Sequence, residues 1–186
     1  MLMQYETNRL ILRIVTADAA PQVLDFFLRD RELFEKYEAD RAPHFYTTGF
    51  FRETLKYEFE LASKLSHIRF YVYRKEAPDM IIGTVCFHNI TLNPYYCCEI
   101  GYKFSSAFHH HGYALEAVEK GIDIIFSELQ VHRIMAWVMP ENEASIRLLL
   151  SLGFSYEGIN ADHLYMHGKW VSHAQYSLIS PMKLFP

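Results

Sequence analysis

The segment from Glu99 to Ala114 carries residue types that can bind a phosphate group. It reads EIGYKFSSAFHHHGYA and runs from a strand-like stretch through a loop into the start of a helix. The first N–H groups of a helix have no intrahelical partner, and the positive end of its dipole favours anions. Gly112 and Ala114 keep bulky side chains away from such an anion. The spacing therefore indicates an anion site, although a glycine at a helix start is also common in ordinary structure.

A second segment, residues 139–158, places an amide and a hydroxyl at another helix start. Asn142 and Ser145 lie three residues apart and so face the same side of the first turn. Helix capping alone is a sufficient explanation for Asn142. Ser145 lies one turn into the helix and is less easily explained by capping. Asn142 is therefore interpreted as a cap or a ligand contact, and the spacing alone leaves the role of Ser145 open.

These two segments together resemble the GNAT superfamily of N-acetyltransferases. Its members carry R/Q-x-x-G-x-G/A before a helix, which here reads HHHGYA over residues 109–114. The branch that acetylates the N-terminal amines of ribosomal proteins (the RimJ/RimL type) adds a run with an N-x-x-S start and a G-F-x-x-E-G end, which residues 142–158 match as NEASIRLLLSLGFSYEG. The opening TNRLILR of residues 7–13 is similar to the first strand of the family. The resemblance covers nearly the whole chain and implies a single N-acetyltransferase domain over residues 1–186.

The resemblance also implies where acetyl-CoA binds and how it reacts. The cosubstrate is expected between two splayed strands, Tyr95 to Phe104 and Arg133 to Met139, with its pyrophosphate on the loop before the helix. The cofactor-binding residues implied are Ile100, Gly101, Tyr102, Lys103, Phe104, His109, His110, His111, Gly112, Tyr113, Ala114 and Asn142. The amine is expected to attack the thioester directly, which agrees with the lack of a convincing Cys/His nucleophile pair in the sequence. Ser145 is expected to donate to the leaving thiolate.

Glu99 is the candidate proton acceptor, because an ammonium group cannot attack a thioester. A carboxylate in a partly dry strand can have its pKa raised towards neutrality. Glu99 alternates on one strand face with Cys97, Gly101 and Lys103, just before the expected pantetheine-binding backbone. The alternative is an exposed strand carboxylate or a partner for Lys103.

Two departures from the family pattern affect the acceptor more than the fold. His109 stands where the family has Gln or Arg, and Val171-Ser172-His173 stands where the ribosomal branch has an Asp before His. Backbone N–H groups make most phosphate contacts in such a loop, so His109 is expected to weaken the site without abolishing it. The three histidines are interpreted as phosphate neighbours, as a solvated loop or, as a further alternative, as metal ligands. No metal is expected.

The hydrophobic periodicity predicts an α/β domain. Strand-like runs and amphipathic stretches follow in the order strand, two helices, three strands, helix, strand, helix, two strands. One apolar stripe recurs at helical spacing, comprising Leu115, Val118, Ile122, Ile125 and Leu129. The order predicts a sheet that is antiparallel at its centre and acquires parallel pairing around the helix crossover. The family resemblance implies that this GNAT-like mixed sheet is splayed at that point and flanked by helices.

Composition excludes several classes of protein. The formal charge of -4 is too small for a protein whose main partner is nucleic acid, so no direct nucleic-acid contact is expected. No run approaches the roughly 20 apolar residues of a membrane span, so a cytoplasmic protein without membrane contact is predicted. The three cysteines, Cys86, Cys97 and Cys98, are odd in number and lie in strand-like segments, which favours reduced structural thiols.

The sequence thus predicts an enzyme that moves an acetyl group from acetyl-CoA to a primary amine, with the N-terminal α-amine of a ribosomal protein as the expected acceptor. The alternatives are a small-amine acetyltransferase acting on a polyamine, aminoglycoside or amino-acid analogue, and a silent acyl-CoA-binding module. A protein-interaction domain built on Phe45, Tyr46, Phe50 and Phe51 is a further alternative, against core packing of these rings. Whether the protein forms a homodimer is left open.

Overall fold

A sheet of eight strands with helices on both faces forms the fold. The computed structural model describes residues 1–181, and residues 182–186, the end of the domain predicted over 1–186, lie outside the described residues. The strands are β1 (Gln4–Glu6), β2 (Leu10–Arg13), β3 (Ile68–Arg74), β4 (Ala77–Thr91), β5 (Cys97–Phe104), β6 (Arg133–Val138), β7 (Ser155–Met166) and β8 (Lys169–Ile179). The helices are α1 (Ala20–Arg29), α2 (Arg31–Glu35), α3 (Thr48–Ser63), α4 (Tyr113–Leu129) and α5 (Glu143–Ser151).

The strand order confirms the predicted mixed sheet. The order is β1-β2-β3-β4-β5-β6-β8-β7, and neighbours pair antiparallel except β5 and β6. Those two strands are parallel because α4 carries the chain back along the sheet between them. The crossover therefore sets the place in the sheet at which antiparallel pairing changes to parallel pairing.

Two local predictions differ from the structure. The composition of Ala77-Pro78-Asp79 predicts a turn. This prediction is wrong, because these residues begin β4 and the reversal lies at residues 75–76. Pro78 is tolerated there because the register between β3 and β4 shifts and leaves residues 78–80 outside the regular pairing. The short elements β1 and α2 were not predicted, since three to five residues carry too little periodicity.

The two faces of the sheet carry separate cores. Alternating residues of β3 show the division, since Phe70 and Val72 belong to the core under α4 while Tyr71 and Tyr73 belong to a core under α1 and α3. The stripe on α4 is buried as predicted from Val118 onwards, but Leu115 is 40% exposed. Leu115 lies in the first turn, where the helix faces a cavity instead of the sheet.

The aromatic segment before α3 packs into the core. Phe45 and Phe51 are buried among Phe27 and Phe34, and Tyr46 and Phe50 pack against the same cluster. These rings do not form an exposed contact surface, so the core-packing interpretation is confirmed. Within residues 1–181, no helix is long and apolar enough to cross a membrane.

Candidate active site

β5 and β6 separate part of the way along their length, and a cavity lies where they part. Their backbones pair only over Cys97–Glu99 and Arg133–Met135. Past Glu99, β5 continues to Phe104 without pairing to β6, so the β6-facing backbone groups of residues 100–104 are available to a ligand. The cavity between the strands has a volume of about 790 Å³ and reaches both faces of the sheet.

Strand alternation gives the cavity two differently built sides. On the α4 side it is lined by Tyr102, the start of α4 and the start of α5. On the α1 side it is lined by Gly101 and Lys103 together with residues of β3, β4 and the chain after α2. Gly101 lacks a side chain, and an added Cβ would meet nothing within 4 Å. The two sides therefore communicate through the gap between the strands.

A left-handed glycine and an arginine fix the shape of the loop before α4. Gly112 has a φ of +76°, a left-handed conformation that favours glycine. The first helical hydrogen bond runs from the Glu116 N–H to the Gly112 carbonyl at 3.1 Å, so the N–H groups of residues 113–115 precede the helical ladder. Arg9 fixes the loop from outside, with its Nη1 donating to the His111 carbonyl (3.0 Å) and its Nε to Glu116 Oε2 (2.6 Å).

The three histidines of this loop do not act together. The His109 ring nitrogen Nε2 lies 3.0 Å from the Phe104 carbonyl, so its side chain ties the loop to the end of β5. His110 lines the cavity, whereas His111 stacks on Tyr113 and does not. Among residues 1–181 no group of three His, Cys, Asp or Glu side chains is placed to hold a metal ion. The phosphate and solvated-loop interpretations remain predictions.

Asn142, Ser145 and Tyr102 meet on the α4 side. The Asn142 side chain caps α5 by accepting from the Ser145 N–H at 3.2 Å. The Ser145 hydroxyl lies 2.8 Å from the Tyr102 hydroxyl, and both residues line the cavity. Burial raises the pKa of Tyr102 to about 12, although the hydrogen bond with Ser145 acts in the opposite direction. The phenol therefore keeps its proton and the pair can donate to a ligand.

The α1 side is charged and largely dry. Lys103 contacts Glu38, and Arg69 donates to Glu58 at 2.7 Å. Their side chains are only 16% and 22% exposed. Burial, with Arg69 and Arg41 nearby, lowers the pKa of Lys103 well below its usual value. These paired charges in the cavity wall are suited to a polar ligand.

Glu99 lies just outside the cavity. Its Oε1 accepts from the Asn89 side chain at 3.1 Å, and its Oε2 lies 3.9 Å from Nδ1 of His88. His88 lines the cavity and Glu99 does not.

The thiols of Cys86, Cys97 and Cys98 are free.

Most of the residues expected at the site are brought to one cavity. Of the fourteen site residues expected from the sequence, twelve line the cavity, and Glu99 and His111 do not. The twelve are Ile100, Gly101, Tyr102, Lys103, Phe104, His109, His110, Gly112, Tyr113, Ala114, Asn142 and Ser145. Sequence reasoning missed the wall residues His88, Arg69 and Glu38, which carry no spacing signal. Arg9 belongs to the motif of residues 7–13, but the motif gives no sign that this side chain braces the loop before α4.

Comparison with known proteins agrees with this geometry. Residues 9–155 match the acetyltransferase (GNAT) domain family. The chain is 30% identical over 176 residues to the [ribosomal protein uS5]-alanine N-acetyltransferase of Escherichia coli, covering 94% of this chain and 90% of that protein. The ribosomal-protein-S5-alanine acetyltransferase of Vibrio fischeri has the same fold, with a TM-score of 0.90, 31% identity and coverage of 96% and 97%.

A third relative carries a bound cofactor. RimJ of Mycobacterium smegmatis, solved in complex with CoA-disulfide, superposes with a TM-score of 0.86 at 24% identity, covering 94% of this chain and 85% of that one. The fold, the separated strands and the motif matches have one explanation: the chain belongs to the GNAT acetyltransferase family and is an N-acetyltransferase that uses acetyl-CoA.

Proposed function

We propose that the protein transfers the acetyl group of acetyl-CoA to the N-terminal α-amine of a protein, with ribosomal proteins as the first candidates. The observation that carries the proposal is the cavity through the sheet, which offers backbone donors on its α4 side and paired charges on its α1 side. The similarity to two ribosomal-protein alanine acetyltransferases along almost the whole chain supports this acceptor class.

Acetyl-CoA fits the α4 side of the cavity. The pyrophosphate would accept hydrogen bonds from the backbone of residues 109–114, whose left-handed Gly112 turns the chain towards the helix start. The pantetheine would pair with the β6-facing backbone of residues 100–104. In this arrangement Lys103 contributes its backbone, since its side chain lies on the α1 side. The Asn142 side chain already caps α5, so Asn142 would contact the cofactor only as part of the cavity wall.

The leaving thiolate would be met by Ser145. Its hydroxyl and that of Tyr102 are 2.8 Å apart, so one hydroxyl can donate to the sulfur while the other supports it. The high pKa of Tyr102 makes this pair a donor near neutral pH. On the other side of the reacting carbon, Glu99 would supply the negative charge that favours removal of the proton from the amine.

An α-amine suits a site with one weak base. Such an amine, with a pKa of about 8, is roughly a tenth deprotonated at about pH 7, whereas a Lys amine near 10.4 is neutral only about once in 2,500. The difference is on the order of 3 kcal/mol in the work of deprotonation. A small amine remains the alternative acceptor, and a silent acyl-CoA-binding module is the alternative without catalysis.

A thiol-release assay with acetyl-CoA tests the proposal. The panel contains peptides that begin with alanine or serine, the same peptides with a blocked N-terminus and an internal lysine, and polyamine, aminoglycoside and amino-acid acceptors. We expect the free N-terminal peptides to give the highest kcat/KM, with the acetyl group placed on the α-amine by mass spectrometry. A small amine that exceeds every peptide would overturn the acceptor, and CoA binding without any thiol release would support the silent module.

A further inference from the structure

We infer that His88, and not Glu99, is the group that takes the proton from the acceptor amine, while Glu99 is its positioning residue. The inference rests on the proposed amine acetylation and concerns the same cavity. It assigns a role to a side chain for which the motifs gave no signal.

The register of the sheet places the two side chains together. His88 on β4 is the direct cross-strand partner of Glu99 on β5, so their side chains share the α1 side of the sheet. The Nδ1 edge of the imidazole faces the carboxylate at 3.9 Å. A register shift begins after His88, and Asn89 adopts a positive φ of 52° and donates to the other carboxylate oxygen. Asn89 therefore holds the Glu99 carboxylate, and the imidazole beside it lines the cavity.

The reacting carbon would lie within reach of the imidazole. The pairing of β5 and β6 ends at Glu99, so the gap between the strands opens directly beside this residue. Gly101 is next on the same face, and the space above it is open. His88 is the diagonal neighbour of Gly101 across the β4–β5 pair, a separation that a ring side chain can bridge. An amine that enters over Gly101 would thus meet His88, which lines the cavity, whereas Glu99 does not.

The surroundings keep the imidazole neutral and able to accept a proton. Burial lowers the pKa of His88, Glu99 raises it and Arg69 on β3 lowers it further. The ring centroid of His67 lies 6.2 Å from that of His88. Burial, together with Arg69, lowers the pKa of His67 to about 4. This neighbour is therefore also uncharged near neutral pH. Glu58 on α3 is occupied by Arg69. Among the described residues, no hydrogen bond is found on Nε2 of His88.

The proton and the electron pairs balance in one transfer. The ammonium gives a proton to Nε2 of His88, and the freed lone pair forms the new C–N bond at the thioester carbon. The C–S bond breaks, and the sulfur leaves with its electron pair and takes a proton from the hydroxyl pair of Tyr102 and Ser145. The amide nitrogen loses its remaining extra proton to solvent. Solvent also returns a proton to the hydroxyl pair and takes the proton held by His88, so the site is restored. Glu99 stabilises the imidazolium that forms but exchanges no proton itself.

The test replaces the imidazole and then supplies it again. His88→Ala is expected to lower kcat/KM for an alanyl peptide by roughly a hundredfold or more at about pH 7. Free imidazole in the buffer should restore a large part of this loss, because the substitution opens space beside the cavity. His67→Ala is the matched control, since it removes a neighbouring imidazole that does not line the cavity. It should keep activity near that of the wild type and show no response to imidazole.

Two further measurements separate proton transfer from structure. A peptide whose N-terminal residue is fluorinated, and whose amine is therefore less basic, should lose much less activity in His88→Ala than the alanyl peptide. Glu99→Gln should lower the pKa of His88, followed by NMR of the imidazole, because it removes the charge that raises it. Acetyl-CoA affinity, measured by calorimetry, should remain close to that of the wild type in both variants.

The outcomes are distinct for this inference and for the proposed function. Equal losses with both peptides and no imidazole rescue, or wild-type activity of His88→Ala, would overturn the role of His88. If the wild type acetylates small amines and no peptide, the proposed acceptor fails instead, and the same rescue experiment with that amine still decides the role of His88.

Discussion

The two sides of the cavity are built from different parts of the chain. On the α4 side the expected contacts come from backbone groups of residues 100–104 and 109–114, set into a broad apolar core. On the α1 side they come from side chains, with Lys103, Glu38 and Arg69 in the wall next to an aromatic core. A backbone site tolerates changes of side chain, so His109 in place of Gln or Arg is compatible with the proposed phosphate contacts. A side-chain site is sensitive to each residue, so acceptor choice is expected to reside there.

The largest expected effect is a loss of stability on the α1 side. Arg69→Met leaves Glu58 largely buried without its cation, and it should lower the free energy of unfolding by about 3 to 5 kcal/mol. Arg147→Met is the control, because its partner Glu143 and Arg147 itself are more than 70% exposed, and such a pair contributes less than about 1 kcal/mol. Urea unfolding of the two variants measures the difference. Equal losses would contradict the charged, dry character assigned to the α1 side.

The second effect concerns cofactor affinity on the α4 side. Gly112→Asp places a side chain on left-handed backbone, at a cost of about 1 to 2 kcal/mol. It also adds a negative charge beside the proposed pyrophosphate, so acetyl-CoA affinity should fall roughly a hundredfold. Gly112→Asn is the matched control, because asparagine has the same shape, no charge and a better tolerance of this conformation. Calorimetry should find a much smaller loss of acetyl-CoA affinity for Gly112→Asn than for Gly112→Asp. Similar losses in the two variants would contradict a phosphate site at this loop.

A third variant separates chemistry from binding on the same side. Ser145→Ala should lower kcat by roughly ten- to a thousandfold with little change in acetyl-CoA affinity, as expected for a lost donor to the leaving group. The capping hydrogen bond uses the backbone N–H of Ser145, so the fold should be retained. Because the two hydroxyls are paired, adding Tyr102→Phe should cost less than the product of the single losses. Steady-state kinetics check both statements, and full activity of Ser145→Ala would make this serine structural.

The smallest expected effect is on stability, which should be unchanged or slightly raised by a substitution on the α1 side. Thr84 is fully buried in the wall of the α1 side, and its hydroxyl has no partner among residues 1–181. Thr84→Val keeps the shape and removes the unpaired hydroxyl, so stability should be unchanged or rise by up to about 1 kcal/mol. Thr84→Ser retains the hydroxyl and loses a methyl group, which should cost about 1 kcal/mol. A clear loss of stability in the valine variant would show that the hydroxyl has a structural partner.

Local sequence patterns anticipated the α4 side better than the α1 side. The loop of residues 109–114 and the start of α5 are each continuous in sequence, so the spacing at Gly112 and the motif that includes Ser145 already indicate a ligand. The residues of the opposite wall come from β3, β4, β5 and the chain after α2, and their meeting depends on strand register. For the same reason Glu99 could be placed on its strand but not outside the cavity.

The sequence by itself determined the family, the order of the main elements and the change to parallel pairing, because periodicity and motif spacing act over short distances along the chain. Only the tertiary structure decided that Arg9 braces the loop before α4, that Glu99 lies outside the cavity, and that His88 lines it beside Glu99. Each of these depends on which residues face each other across strands and helices far apart in sequence. A single sequence does not contain that register, because many pairings satisfy the same alternation of polar and apolar residues.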